Sequence, residues 1–203
     1  KLLLDCLGRH PLLTTADLGV VLGIAPRIAR HAVKRALQNG LILSHGGEGD
    51  SEDRYCLSML AVRLLATRDG VPFRRYLHHS RLTAMAPETG RGVPAVVRQR
   101  DHTVGANSFF LGMLARTTGR CRLARWEGAT EAVAVFSVGG ERRTVRPDGA
   151  GIVVSEGHTY RFFLEWDRGT ERIAVLLEKL ARYANYYRVQ TRTSRPLPTL
   201  LVA

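Results

Sequence analysis

The chain has 203 residues, with 30 Lys and Arg against 18 Asp and Glu, a formal net charge of +12, and an isoelectric point near 10.6. That length holds one large or two small domains with real cores, and a basic excess of this size favours a polyanionic partner, nucleic acid first. Three dispersed cysteines, Cys6, Cys56 and Cys121, include no C-x-x-C pair, which argues against a disulfide framework and a zinc site, and no apolar run approaches the roughly 20 residues of a membrane span.

These features fit a reduced, cytoplasmic protein without membrane association. Leu2–Leu4 is too short for a signal-peptide core, and the opening Lys1 reads as the start of a fragment of a longer product.

Residues 1–68 read as helix, helix, helix, hairpin, helix. Lys1–Leu7 is a short apolar segment ended by Gly8 and His10-Pro11. Thr14 or Thr15 can cap a helix carrying Leu18, Val21 and Leu22 that stops at Gly23. The next helix, over 25–39, has Ala29, Ala32, Val33, Ala36 and Leu37 at i, i+3, i+4, i+7 and i+8. Arg27, Arg30, His31 and Lys34 repeat on another face, with Arg35 beside them, so one side packs and the other is cationic. Asn39-Gly40 ends that helix, and Leu41–Ser44 and Arg54–Leu57 read as two strands across the loop HGGEGDSED. This is the order of a winged helix-turn-helix, whose third helix enters the major groove of DNA; the alternative is a solvated surface helix. Glu48, Asp50, Glu52 and Asp53 make the loop acidic, so it is expected to stay away from phosphates. Leu57, Leu60, Ala61, Leu64 and Leu65 define a further amphipathic helix, suited to dimerisation or to packing back on the domain.

Residues 69–101 read as a basic connector broken by Arg68-Asp69-Gly70, Pro72 and the run 87–94, with a helix within 73–85. Arg74, Arg75, Arg81, Arg91, Arg98 and Arg100 keep it cationic. The adjacent His78-His79 pair lacks a third ligand and is a poor metal site.

The second domain is expected over 102–203. A helix at 104–117 leads to strand-like pieces at 121–127, 131–138 and 142–146, then to a hairpin of Ile152–Val154 and Thr159–Trp166 turning at 155–158. Alternation places Phe163, Glu165 and Asp167 on one face, with Asp148 opposite the acids. Thr170 can cap a long helix through Tyr187 whose buried face is expected to carry Ile173, Leu176, Leu177, Leu180, Ala184 and Tyr187. TLLVA at the end reads as a last strand, central in the sheet. The class is α+β or α/β.

A helix, a meander and a crossover helix around Pro147-Asp148 and Glu165-Trp166-Asp167 resembles the PD-(D/E)XK nuclease fold, a mixed sheet flanked by helices. That likeness implies Asp148, Glu165 and Asp167 as ligands of Mg²⁺, a hard cation that prefers oxygen and keeps waters able to attack a phosphodiester. It also implies a lysine two positions after the glutamate to offset developing charge, and here that position is Asp167. Lys179 on the next helix can replace it, Arg168 less well, and Glu127 can add a carboxylate. The competing reading makes Asp148 a turn residue and gives Asp167 and Glu171 to a helix start, paired with Arg168 and Arg172.

Taken whole, the winged helix, HTVGANSFF, Trp126, RPDG, FFLEWDRGTE, Lys179 and YANYY resemble the replication-relaxation family of plasmids and integrative elements over residues 1–190. Asp148, Glu165, Asp167, Arg168, Gly169, Thr170, Glu171 and Lys179 match that family's signature. The resemblance implies a DNA-binding accessory protein acting in plasmid replication or DNA relaxation during conjugative transfer. Its implied partners are DNA, a second copy of the chain and other proteins of replication or transfer. Two activities remain open: Mg²⁺-dependent nicking or cleavage, and a non-catalytic regulator whose second domain dimerises or binds a partner. A relaxase tyrosine at Tyr183, Tyr186 or Tyr187 lacks the histidine cluster that such chemistry needs, and these residues read as packing. No phosphate-binding P-loop, nucleophile elbow or H-E-x-x-H motif is present.

Overall fold

The computed structural model describes residues 2–46, 52–73, 100–167, 169, 173–191 and 196–203. Glu48 and Asp50 of the acidic loop, the 73–85 helix beyond Phe73, the connector residues Arg74, Arg75, His78, His79, Arg81, Arg91 and Arg98, and Arg168, Thr170, Glu171 and Arg172 lie outside the described residues. The class is α+β, in two compact units, 1–115 and 116–203.

The first unit runs α1 (Leu2–Arg9), β1 (Leu13–Thr14), α2 (Thr15–Leu22), α3 (Pro26–Gln38), β2 (Ile42–His45), β3 (Arg54–Leu57), α4 (Met59–Arg68) and α5 (Arg100–Ala115). Thr14 starts α2 through a capping box: its hydroxyl accepts from the Asp17 amide at 3.1 Å, and the Asp17 carboxylate accepts from the Thr14 amide at 2.9 Å. Gly23, at φ 62°, ends α2 in the left-handed region, where its amide reaches the Gly19 and Val20 carbonyls. Pro26 then occupies the first turn of α3, where its missing N–H is no loss. Ala29, Val33 and Ala36 are the buried face of α3, while Leu37 is exposed rather than packed.

The three strands form a sheet in the order β1-β3-β2, all antiparallel. Strand β1 has two residues and no readable period; its neighbour Leu12 is fully buried at φ 63°, with its amide bonded to the Tyr55 carbonyl at 2.7 Å. Leu7, Leu12, Leu13, Leu18, Ile42, Leu57 and Val62 fill this core. Of the apolar face read for α4, Ala61 and Leu65 are buried, but Leu60 and Leu64 are exposed. Helix α5 belongs to this unit rather than opening the second one, and Asn107 donates from Nδ2 to the Pro11 carbonyl at 2.7 Å. A helix boundary read from periodicity carries no information about which core the helix joins.

The second unit contains β4 (Cys121–Gly128), β5 (Ala134–Val138), β6 (Glu141–Val145), β7 (Gly149–Ser155), β8 (His158–Glu165), α6 (Ile173–Gln190) and β9 (Thr199–Val202). Strands β4, β7, β8 and β9 form one mixed sheet in that order. Strands β7 and β8 are a hairpin whose turn residues Glu156 and Gly157 both have positive φ, 49° and 81°, the signature of a type I′ turn. Strand β9 pairs parallel to β8, and α6 is the crossover between them. It lies at the edge of the sheet among the described residues, not in its centre.

Strands β5 and β6 pair only with each other and stand apart from the main sheet, so the expected meander is interrupted by a separate hairpin. That hairpin packs on α6. Tyr186 meets Phe136 edge-on at 5.7 Å and Phe163 of the main sheet at the same distance, so the core of this unit is Ala132, Phe136, Val145, Ala150, Phe163, Tyr183 and Tyr186.

Of the buried face expected for α6, Tyr187 packs against this core and Leu176 is half-buried, but Ile173, Leu177, Leu180 and Ala184 are exposed. Ile173 is 75 %, Leu177 60 % and Leu180 37 % exposed, while Tyr183 and Tyr186 are buried. The reason lies beneath the helix, in a buried carboxylate that aliphatic side chains could not have partnered.

Candidate active site

The register of β7 and β8 brings the two motif acids together. Gly149 pairs with Leu164, so the next positions outward, Asp148 and Glu165, face one another at the end of the ladder. The Asp148 amide donates to the Leu164 carbonyl at 2.8 Å, and the Asp148 carboxylate accepts from the Trp166 amide at 2.9 Å. Glu165 lies on the Phe163 face, beneath α6, and its side chain is only 7 % exposed.

Both Glu165 oxygens are held. Tyr183 donates its hydroxyl to Oε1, and the Lys179 ammonium sits 3.2 Å from Oε2. Lys179 and Tyr183 are four residues apart, so one helical face delivers both groups to one carboxylate. Burial raises the Glu165 pKa above the ordinary carboxylate value; the Tyr183 hydrogen bond opposes this, the Asp148 charge adds to it, and Lys179 opposes it. Burial and the hydrogen bond to Glu165 push the Tyr183 phenol well above its ordinary value in turn. Tyr183 is thus a buried neutral donor and not an exposed nucleophile.

The other candidate residues fall elsewhere. Asp167 turns back on its own loop, accepting from the Gly169 amide at 2.9 Å while its amide donates to the Ala203 carbonyl at 2.8 Å. Glu127 stands opposite Ala150 on β4, two strands from Glu165, and pairs with Arg125 at 2.5 Å. Among the described residues no group of three His, Cys, Asp or Glu side chains gathers in a way that could hold a metal ion. The trio Asp148, Glu165 and Asp167 is therefore not assembled as one ligand set, and the close acidic pair is Asp148 with Glu165. Mg²⁺ is commonly bound through one or two carboxylates plus substrate phosphate oxygens, and Asp148 and Glu165 are the residues here that could hold one if Glu165 exchanged a present partner for it.

Tyr183 is the residue of this site that motif reading misses, although its i+4 spacing from Lys179 is a signal in the sequence. In the first unit, Arg27, Arg30, His31, Lys34 and Arg35 are all exposed along α3. Arg30 also lines a shallow cleft with Glu52 and Asp53, the described end of the acidic loop. No described helix is long and apolar enough to cross a membrane.

No match was found among curated proteins or among solved structures. A family model for replication-relaxation matches residues 4–198, a span that takes in both units and the whole Asp148, Glu165 and Lys179 constellation. The chain belongs to the replication-relaxation family, and with it to the replication of plasmids and mobile elements.

Proposed function

We propose that this is a DNA-binding protein whose first unit is a winged helix-turn-helix and whose second unit is a nuclease-like domain that nicks or cleaves DNA with Mg²⁺. The observation that carries the second half is the Lys179 ammonium on Glu165, 3.2 Å from Oε2. It puts a cation beside the acidic pair where the sequence lacks one after the glutamate. Asp148 and Glu165 would hold the metal, which supplies a polarised phosphate and a more acidic water when bound. Tyr183 fixes the Glu165 carboxylate against rotation, and Lys179 offsets negative charge at the phosphate. The first half rests on the exposed cationic row Arg27, Arg30, His31, Lys34 and Arg35 opposite the buried Ala29, Val33 and Ala36.

A second reading, a non-catalytic regulator of transcription or replication, is favoured by a different observation. The exposed apolar stripe Ile173, Leu177 and Leu180 on α6 suits a dimer contact or another protein of replication or transfer. Supercoiled plasmid separates the two readings. Mg²⁺-dependent nicking that disappears in Asp148→Asn and in Glu165→Gln supports the enzyme, whereas DNA binding that survives EDTA without any cleavage supports the regulator. For the first unit, Arg27→Ala/Arg30→Ala/Lys34→Ala is expected to weaken duplex binding and to reduce its salt slope by about 0.9 for each phosphate no longer neutralised. Unchanged affinity removes α3 from the interface.

A further inference from the structure

On the same sheet face as Glu165, further along the strands, lies a cleft of about 270 Å³ with a cationic mouth. Register sets its floor. Arg125 of β4 and Arg161 of β8 both pair with Ile152 of β7, and directly opposed residues share a face. The two arginines therefore flank Ile152 on either side, with backbones roughly 10 Å apart across two strand spacings. The adjacent row is Glu127, Ala150 and Phe163, and the short Ala150 side chain between two larger ones leaves the depression. Tyr186 and Gln190 of α6 and the segment Pro196–Pro198 line its walls.

The two arginines are not equivalent. Arg125 is tied to Glu127 at 2.5 Å, while Arg161 is exposed and has no carboxylate partner among the described residues. The mouth thus keeps a net positive charge above a wall containing Tyr186 and Phe163, whose rings lie 5.7 Å apart. Guanidinium groups bind phosphate with charge-assisted hydrogen bonds, and a small cleft with a largely apolar lining takes the flat faces of an unstacked base. A duplex keeps those faces stacked inside and offers a narrow cleft only its backbone.

We propose that this cleft seats one nucleotide of single-stranded DNA, with the phosphate between Arg161 and Arg125 and the base in the depression over Ala150 and Ile152. The inference rests on the DNA reading above and narrows the second unit's substrate to unpaired DNA next to Glu165 and Lys179.

The test is fluorescence anisotropy on the full chain in EDTA, with a labelled single strand, the corresponding duplex, and free dTMP as competitor. Arg125→Ala/Arg161→Ala is expected to bind the single strand at least about tenfold more weakly, with a salt slope shallower by about 0.7 for each phosphate no longer neutralised, and to bind the duplex as before. Arg161→Glu alone, at an exposed position, is expected to melt with the parent and still weaken the single strand. Unchanged single-strand affinity in both variants overturns the proposal, as does an equal loss for single strand and duplex. Competition by dTMP at concentrations as low as those of the oligonucleotide overturns it in favour of a mononucleotide site. Duplex binding that depends on α3 with no single-strand binding sinks this inference alone, whereas a protein that binds neither DNA loses the DNA reading as well.

Discussion

Helices α3 and α6 are both amphipathic, yet they spend their apolar residues in opposite ways. In α3 the small aliphatics Ala29, Val33 and Ala36 face the core and the cations face water. In α6 the aliphatics Ile173, Leu177 and Leu180 face water, and Tyr183 and Tyr186 go inside. The difference comes from what lies underneath. Helix α3 covers an apolar core, whereas α6 covers Glu165, and a buried carboxylate needs donors and a counter-charge. Tyr183 supplies a donor, with its hydroxyl on Glu165 and its ring against Phe163 at 6.0 Å, and Lys179 supplies the counter-charge.

The largest effect should come from removing the counter-charge. Lys179→Met leaves Glu165 buried beside Asp148 without its cation, and the cost is expected to be about 3 kcal/mol, read as a shift of the urea midpoint at unchanged slope. Adding Glu165→Gln to the same chain should recover most of it, because the uncompensated charge is then gone. A double variant as unstable as Lys179→Met would mean that the lysine stem, and not its charge, holds the helix.

The two units should also answer pH in opposite directions. In the first, burial lowers the His10 pKa from 6.5 to about 4, so between these values the unfolded chain binds a proton that the native one refuses. Stability contributed there is complete above pH 6.5 and is lost as pH falls toward 4, by up to about 3 kcal/mol, and His10→Gln should flatten that limb. In the second unit the Glu165 pKa is raised from 4.5, so the native state holds its proton longer than the unfolded one. Its contribution is complete below 4.5 and is lost as pH rises through the native value. Tyr183→Phe removes a bond that favours the carboxylate, at a cost of about 1–3 kcal/mol, and its deficit should shrink as pH falls toward 4.5. A deficit independent of pH would assign Tyr183 to packing alone. Denaturation followed at several pH values reads both limbs.

The same contrast explains what can be read from the chain. The limits of α3, the Thr14 cap, the Gly23 stop and the β7–β8 hairpin are legible because local periodicity and turn chemistry determine them. The Asp148 and Glu165 pairing follows from strand alternation. Strand β1 is not legible, since two residues have no period and its position depends on Tyr55, far away along the chain. The attachment of α5 to the first unit, the edge position of β9 and the separate β5–β6 hairpin are likewise decisions of tertiary packing. The inverted face of α6 requires knowledge that a carboxylate lies below it; Lys179 is a candidate from charge alone, but Tyr183 reads from sequence as a packing residue.

The smallest expected effect sharpens the comparison most. If the aliphatic stripe of α6 meets only water, then Leu177→Gln/Leu180→Gln should change stability by no more than about 0.5 kcal/mol, the ordinary range for surface positions, since glutamine is as good a helix former as leucine. The equivalent pair on the buried side of α3, Ala29→Gln/Val33→Gln, should cost several times more. A loss of about 2 kcal/mol or more for the α6 pair, the scale of a buried leucine, would mean that the stripe is covered in solution. A loss that grows as the protein is diluted would identify the cover as a second copy of the chain, because the stability of an oligomer depends on its concentration. In that outcome the two helices follow one rule after all, and the aliphatics of α6 are buried against a partner instead of against their own sheet.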